Sequence, residues 1–168
     1  MLENGLYTQL IGTSSITQLL GPPTNVFPNG VTALPLDAIF FGSAPKDPPL
    51  RFLVINTEGI PAGQTLSGPS ALIDGEVQFD AYAESQLAAK QIVVAVRNLF
   101  AGWEGTLSDG TTIQFTEITM FRPLPYELGG AGYLYHWVLR IRAMYTEPGD
   151  FGIPGFGSDE FGSDGFGE

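Results

Sequence analysis

No cysteine occurs in the 168 residues, which removes disulfide scaffolds, thiolate zinc sites, iron–sulfur clusters and cysteine nucleophiles together. Histidine is nearly as scarce. The single one, His136, excludes multi-histidine metal centres and leaves one imidazole for any serine–histidine mechanism. Positive charge is thin as well: 7 Lys and Arg against 18 Asp and Glu give a net charge of -11, so bulk attraction to phosphate backbones is not expected. No apolar run approaches the roughly 20 residues needed to cross a bilayer, and the opening MLENGLYTQL is polar and acidic where a signal peptide would be basic and then greasy. The expectation is a soluble, uncleaved chain with one domain's worth of core, no membrane association, no cofactor and no metal.

What is abundant is glycine and proline, 22 and 13 residues, which implies many turns or an unstructured segment. The composition changes most sharply at Glu147, where EPGDFGIPGFGSDEFGSDGFGE begins, without a basic residue. We therefore divide the chain into a body, residues 1–146, and an acidic Phe-Gly tail, residues 147–168. Phe151, Phe156, Phe161 and Phe166 recur every five residues, a period that fits neither helix nor strand. The tail is expected to be disordered in the free chain, either solubilising it or docking its phenylalanines in grooves of neighbouring subunits.

In the body, Leu2, Leu6 and Leu10 and then Ile16, Leu19 and Leu20 predict two short helices broken near Gly12. Ala38 to Phe41 reads as a short buried strand, Arg51 to Asn56 as another, and Thr57 to Gly68 as a long loop or hairpin connection. Glu76, Gln78 and Asp80 alternate with Val77, Phe79 and Ala81, the period-two signature of a strand with one wet, acidic face. Ala88, Ile92, Val96, Leu99 and Trp103 form one apolar stripe of a long helix from Glu84 to Phe100, with Ser85 as its N-cap. Asp109-Gly110 marks a turn between strands at Gly105–Ser108 and Thr111–Phe121, and Gly129-Gly130-Ala131-Gly132 reads as a hairpin loop. The last strand, Tyr133 to Thr146, puts Tyr133, Tyr135, Trp137, Leu139, Ile141 and Tyr145 on one face and His136, Arg140 and Arg142 on the other. The order of elements predicts an α+β domain, an antiparallel sheet packed against one long and one or two short helices.

The residues offer little chemistry. No G-x-S-x-G elbow occurs, the glycine-rich stretches lack the lysine and strand–loop–helix context of a phosphate loop, and the tail acids lack the ligand density of a calcium repeat. His136 reads as a packing or surface histidine. A small hydrolase using Glu76 or Asp80 with His136 is the enzymatic alternative. Arg140 and Arg142 are placed to pair with the Glu76/Gln78/Asp80 row of an adjacent strand or subunit.

The opening Met1-Leu2-Glu3-Asn4-Gly5-Leu6-Tyr7, the Leu36–Phe41 strand, the run Val77-Gln78-Phe79-Asp80-Ala81-Tyr82 and the following helix with Ala88, Ala89, Val93, Val96, Arg97 and Leu99 together resemble the tail-completion (tail terminator, tail-to-head joining) family of long-tailed bacteriophages. The resemblance spans roughly Met1 to Leu107. It implies a structural virion protein, not an enzyme, that assembles as a hexameric ring on the head-proximal end of the tail tube, ends tube polymerisation and joins tail to head. The implied partners are further copies of itself, the tail tube protein and a head-completion or connector protein, with DNA passing through the ring without sequence-specific binding. The implied location is the head–tail junction of the virion, after assembly in the host cytoplasm. On that reading Glu76, Gln78 and Asp80 face the lumen, and Arg51, Phe52, Arg140, Arg142, Phe151, Phe156, Phe161 and Phe166 contact neighbours. The alternative in the same setting is another neck or tail-tube component. Lys46 to Ser70 departs from the short family pattern and is expected to be an insertion contacting a partner, because RFLVIN is too apolar for a free loop.

Overall fold

The computed structural model describes residues 2–21, 25–61, 72–129 and 132–148. Helices α1 (Leu2–Ile11) and α2 (Ser14–Leu20) are followed by a 3-10 turn (Pro35–Ala38), strands β1 (Ile39–Phe41), β2 (Phe52–Pro61) and β3 (Leu72–Ala83), helix α3 (Gln86–Phe100), and strands β4 (Gly105–Thr106), β5 (Thr112–Gly129) and β6 (Gly132–Thr146). The strands form one sheet in the order β1-β2-β3-β6-β5-β4. The α+β architecture matches the expectation. The sheet is antiparallel throughout except at β1, which lies parallel to β2 with Ile39 opposite Leu53.

Alternation along the two central strands decides which side is covered. Val77, Phe79 and Ala81 of β3 and Trp137, Leu139, Ile141, Ala143 and Tyr145 of β6 are buried in one cluster with Leu6 and Leu10 of α1, Ile16 and Leu20 of α2 and Ile92, Val93 and Val96 of α3. All three helices thus pack on the odd-numbered face. The predicted N-cap of α3 is present, the Ala88 N–H donating to Ser85 Oγ at 3.1 Å. Its C-terminal end is secured by buried Thr116 of β5, whose hydroxyl donates to the Phe100 carbonyl at 2.7 Å, satisfying an acceptor the helix leaves open.

The predicted Asp109-Gly110 turn also anchors α1. Asp109 Oδ1 accepts from the Thr111 N–H at 3.0 Å and Oδ2 from the Gly5 N–H, in the first turn of α1, at 3.3 Å. A Cβ on Gly5 would meet Asp109 Oδ1 at 2.6 Å and Leu107 Cβ at 2.7 Å. Glycine at this place in the Met1–Tyr7 segment is therefore what lets α1 approach the turn.

Two expectations are corrected. Thr57 to Pro61, read as the start of a loop, continues β2, with Thr57 opposite Val77 and Glu58 opposite Glu76. The apolar run from Phe52 to Ile55 is accordingly covered within the chain, so its apolarity calls for no outside partner: Leu53 and Ile55 belong to the main core, and Phe52 and Val54 to a second cluster on the opposite face with Leu134. Its apolarity is explained by a strand buried on both faces. Strand β5 also runs beyond Phe121 to Gly129 through Pro123 and Pro125; past the two residues of β4 its outer edge has no neighbouring strand among the described residues, the kind of edge on which proline is found.

Candidate functional site: a polar network on the helix-free sheet face

The even-numbered residues of β3 and β6 meet on the face opposite the helices. Asp80, 5% exposed, receives three hydrogen bonds, from His136 Nε2 at 2.8 Å, Gln78 Nε2 at 2.8 Å and Asn56 Nδ2 at 3.3 Å. A carboxylate oxygen can only accept, so Nε2 of His136 carries the proton in this contact. Gln78 passes the network on, its Oε1 accepting from Arg140 Nε at 3.1 Å and Nη2 at 2.6 Å. Arg140 Nε also lies 3.3 Å from Glu76 Oε1, which accepts from the Thr119 hydroxyl at 3.1 Å. The chain of contacts crosses β2, β3, β6 and β5. One step further along, Arg142 grips Asp74 with both ends of its guanidinium, Nε at 2.9 Å and Nη2 at 2.5 Å, the bidentate geometry that makes arginine–carboxylate pairs strong and directional.

Toward the other end the network grades into rings. His136 stacks on Tyr82 (centroids 4.2 Å apart), Tyr82 on Phe52 (4.7 Å), and Phe52 meets Phe40 edge-on (6.0 Å). Between Glu76 and Asn56 the surface dips into a polar hollow of about 240 Å³ lined also by Glu58, Gln78 and Arg140. The face is a wall of fixed charge and amide groups in which Arg140 and Arg142 are matched by acceptors of the same chain, while Arg122 of β5, opposite Val138, is exposed.

A model of the family described as tail completion protein gp17 matches residues 4–146. The chain belongs to that family. No curated protein matches it. The tail-completion family consists of structural proteins of phage tails, so this chain is a tail component of a virion. The matched span includes Lys46–Ser70.

Placed on this member of the tail-completion family, the residues expected to matter fall into three groups. Glu76, Gln78, Asp80, Arg140 and Arg142 are brought together on one face, as the alternation suggested. His136, read as a packing or surface residue, is 6% exposed and joins them through Asp80. Arg51 lies elsewhere, bound to Glu84 with Nε 3.0 Å from Oε2, whereas Phe52, 4% exposed, sits at the aromatic end of the same face, enclosed between Phe40 and Tyr82. Phe151, Phe156, Phe161 and Phe166 lie outside the described residues. Asp74, Asn56 and Thr119 were not anticipated. Asp74 continues the Glu76/Gln78/Asp80 alternation two residues upstream, a signal present in the sequence; Asn56 and Thr119 become partners only through strand pairing.

The two arginine–carboxylate pairs outside the buried network set an acid dependence. Arg142's hydrogen bond and charge hold Asp74 below the usual aspartate range. For Glu84 burial pushes upward, but the Arg51 hydrogen bonds, the residue's own backbone N–H and the Arg51 charge outweigh it, and the carboxyl sits below the ordinary glutamate value. A depressed folded-state pKa contributes stability that is fully present above the unfolded-state values, about 3.9 for Asp and 4.3 for Glu, and is lost as pH falls through the folded-state values. The variant Asp74→Asn/Glu84→Gln is therefore expected to differ from the parent at neutral pH and to converge with it as pH falls through the lowered folded-state values. Urea melts between pH 2 and 7 measure this; a constant difference across that range would refute the linkage.

Proposed function

We propose that this protein closes into a ring, a hexamer, at the head-proximal end of the phage tail tube, stops tube polymerisation there and presents the surface to which the head docks. Its partners are then further copies of itself, the tail tube protein and a head-completion or connector protein, at the head–tail junction of a virion assembled in the host cytoplasm. The observation that carries the reading is the helix-free sheet face of a tail-completion family member. A channel that DNA must traverse works best when its wall does not grip phosphates. On this face Arg140 and Arg142 are engaged by Glu76, Gln78 and Asp74, and Glu58 stands directly opposite Glu76. In this arrangement Glu76 and Gln78 line the lumen, Asp80 anchors them from beneath, and DNA passes without sequence-specific contact. Arg142, whose side chain is half exposed, and Arg122, exposed on β5, are the arginines of this face placed to reach a neighbour. Residues 1–146 form the ring body and residues 147–168 an appendage.

Light scattering of the purified protein across concentration, alone and with tail tube protein, tests the assembly. A closed oligomer of discrete mass that arrests tube growth is expected. Open-ended polymers would instead indicate a tube subunit, and a monomer that never joins the tube would indicate another neck component. Glu58→Lys/Glu76→Lys is expected to leave the ring intact while slowing DNA passage several-fold, scored as DNA ejected per assembled particle; unchanged passage through intact rings would remove these residues from the lumen.

A further inference from the structure

Among the described residues the helical layer is not closed on its outside. Between α2 and α3 runs a groove of about 520 Å³, lined by Leu19 of α2 and by Leu87, Lys90, Val94, Ala95 and Asn98 of α3. Leu87, 66% exposed, is the most exposed large apolar side chain among the described residues. An apolar strip of this kind, rimmed by polar groups, is characteristic of a covered surface.

Charge identifies what covers it. Helix α3 carries Lys90 and Arg97 and no acid, an unusual stretch in a chain of net charge -11. Among the described residues the ion pairs engage Arg51, His136, Arg140 and Arg142. Lys90 and Arg97 lie instead over aromatic rings, those of Trp137 at 5.4 Å and Phe121 at 5.0 Å, and neither forms an ion pair among the described residues. They share a stripe of α3 with Val94, at intervals of four and three residues. Residues 149–168 have the opposite character: four phenylalanines, five acids and no base.

The point of departure is suitable. Pro148 lies against the β4–β5 turn, where a Cβ on Gly110 would meet its Cγ at 3.1 Å, and the adjacent Asp109 holds the first turn of α1. The segment therefore leaves from the side that carries the helices. Its 20 residues reach up to about 65 Å when extended, against about 22 Å for the whole of α3. A tether of that length raises the local concentration of the segment at the groove to roughly the millimolar range, so weak contacts suffice.

We propose that the α2/α3 groove is the seat of this chain's own C-terminal segment, residues 149–168, with phenylalanine rings on Leu19, Leu87 and Val94 and carboxylates facing Lys90 and Arg97. Seated there, the segment covers Leu87 in the same subunit and withholds the helical face from other copies. This goes beyond the ring reading and does not depend on it.

The absence of native cysteine makes the test clean. A nitroxide is attached to Ser163→Cys in the full-length protein, and paramagnetic broadening of backbone amides is measured. Several-fold stronger broadening at Leu19 and Leu87–Asn98 than on the sheet is expected, weakened by Phe156→Ser/Phe161→Ser and by Lys90→Glu, with circular dichroism confirming that each variant is folded. Uniformly weak broadening would overturn the proposal, as would broadening indifferent to these substitutions. Mixing isotope-labelled protein lacking the nitroxide with unlabelled, spin-labelled protein reads the source. Broadening that persists in the mixture places the segment on a second copy and refutes seating in the same chain; its disappearance supports it.

Discussion

Phe79→Ala is expected to lower the stability of the folded chain by about 3–5 kcal/mol, in the upper part of what single core truncations do. Phe79 is 1% exposed and lies near-parallel to Phe100 of α3, with ring centroids 5.6 Å apart. It is thus the contact at which the central strand grips the long helix. The residual hollow around this pair, bounded by Leu6, Val77, Ile113 and Ile141, is only about 10 Å³, at or below the room one water needs. Removing the ring leaves a void that neighbours cannot fill, because β2 and β6 hold β3 in continuous ladders from both sides. For a chain of this length such a loss corresponds to a fall in melting temperature of about 10 °C. Calorimetry of Phe79→Ala beside Phe79→Leu measures it, and a drop under about 1 kcal/mol for the alanine variant would show that the core collapses around the gap.

Asp80→Ala is expected to cost about 2–4 kcal/mol, for a different reason: it strands three donors at once. His136, Gln78 and Asn56 all point at the lost carboxylate, and the histidine cannot turn outward while its ring is stacked on Tyr82. The damage is predicted to lie in the orphaned groups rather than in the loss of attraction between the pair. Asp80→Leu/His136→Leu should accordingly recover the share due to His136, since replacing a buried polar pair by apolar groups of similar volume is often near neutral, and partly exposed Gln78 and Asn56 can turn to water. Urea titration of the two variants separates these accounts. A double variant as unstable as Asp80→Ala would mean that the pair itself contributes the stability. Because Gln78 links Asp80 to Arg140, Asp80→Ala should also loosen the guanidinium at the surface, visible as faster exchange of its Nε proton.

Much of this structure is local in origin and was legible for that reason. The spacing of Ala88, Ile92 and Val96 declares a helix stripe, Ser85 declares its cap, Asp109-Gly110 declares a turn, and the alternation from Glu76 to Ala81 declares a strand with one polar face. Each rests on bond geometry that acts within a few residues. The segregation of His136, Arg140 and Arg142 from Trp137, Leu139 and Ile141 was legible on the same grounds. The run at Arg51–Asn56 was legible as a strand, but what covers it was not, because a strand buried on both faces has no alternation to show which side meets the core; only its place between β1 and β3 explains its apolarity.

The sequence alone thus determined the elements, their apolar and polar faces, the poverty of catalytic groups and the contrast between body and tail. Tertiary structure decided who meets whom. That Arg140 lies on Gln78, 62 residues away, and Arg142 on Asp74, 68 residues away, follows from β6 pairing with β3 in one register. A shift of one residue would have turned both arginines into the core. Register is set by the summed burial of both strands against three helices, a property of no local segment, and it is what turns a row of acids and a pair of arginines into a single connected network.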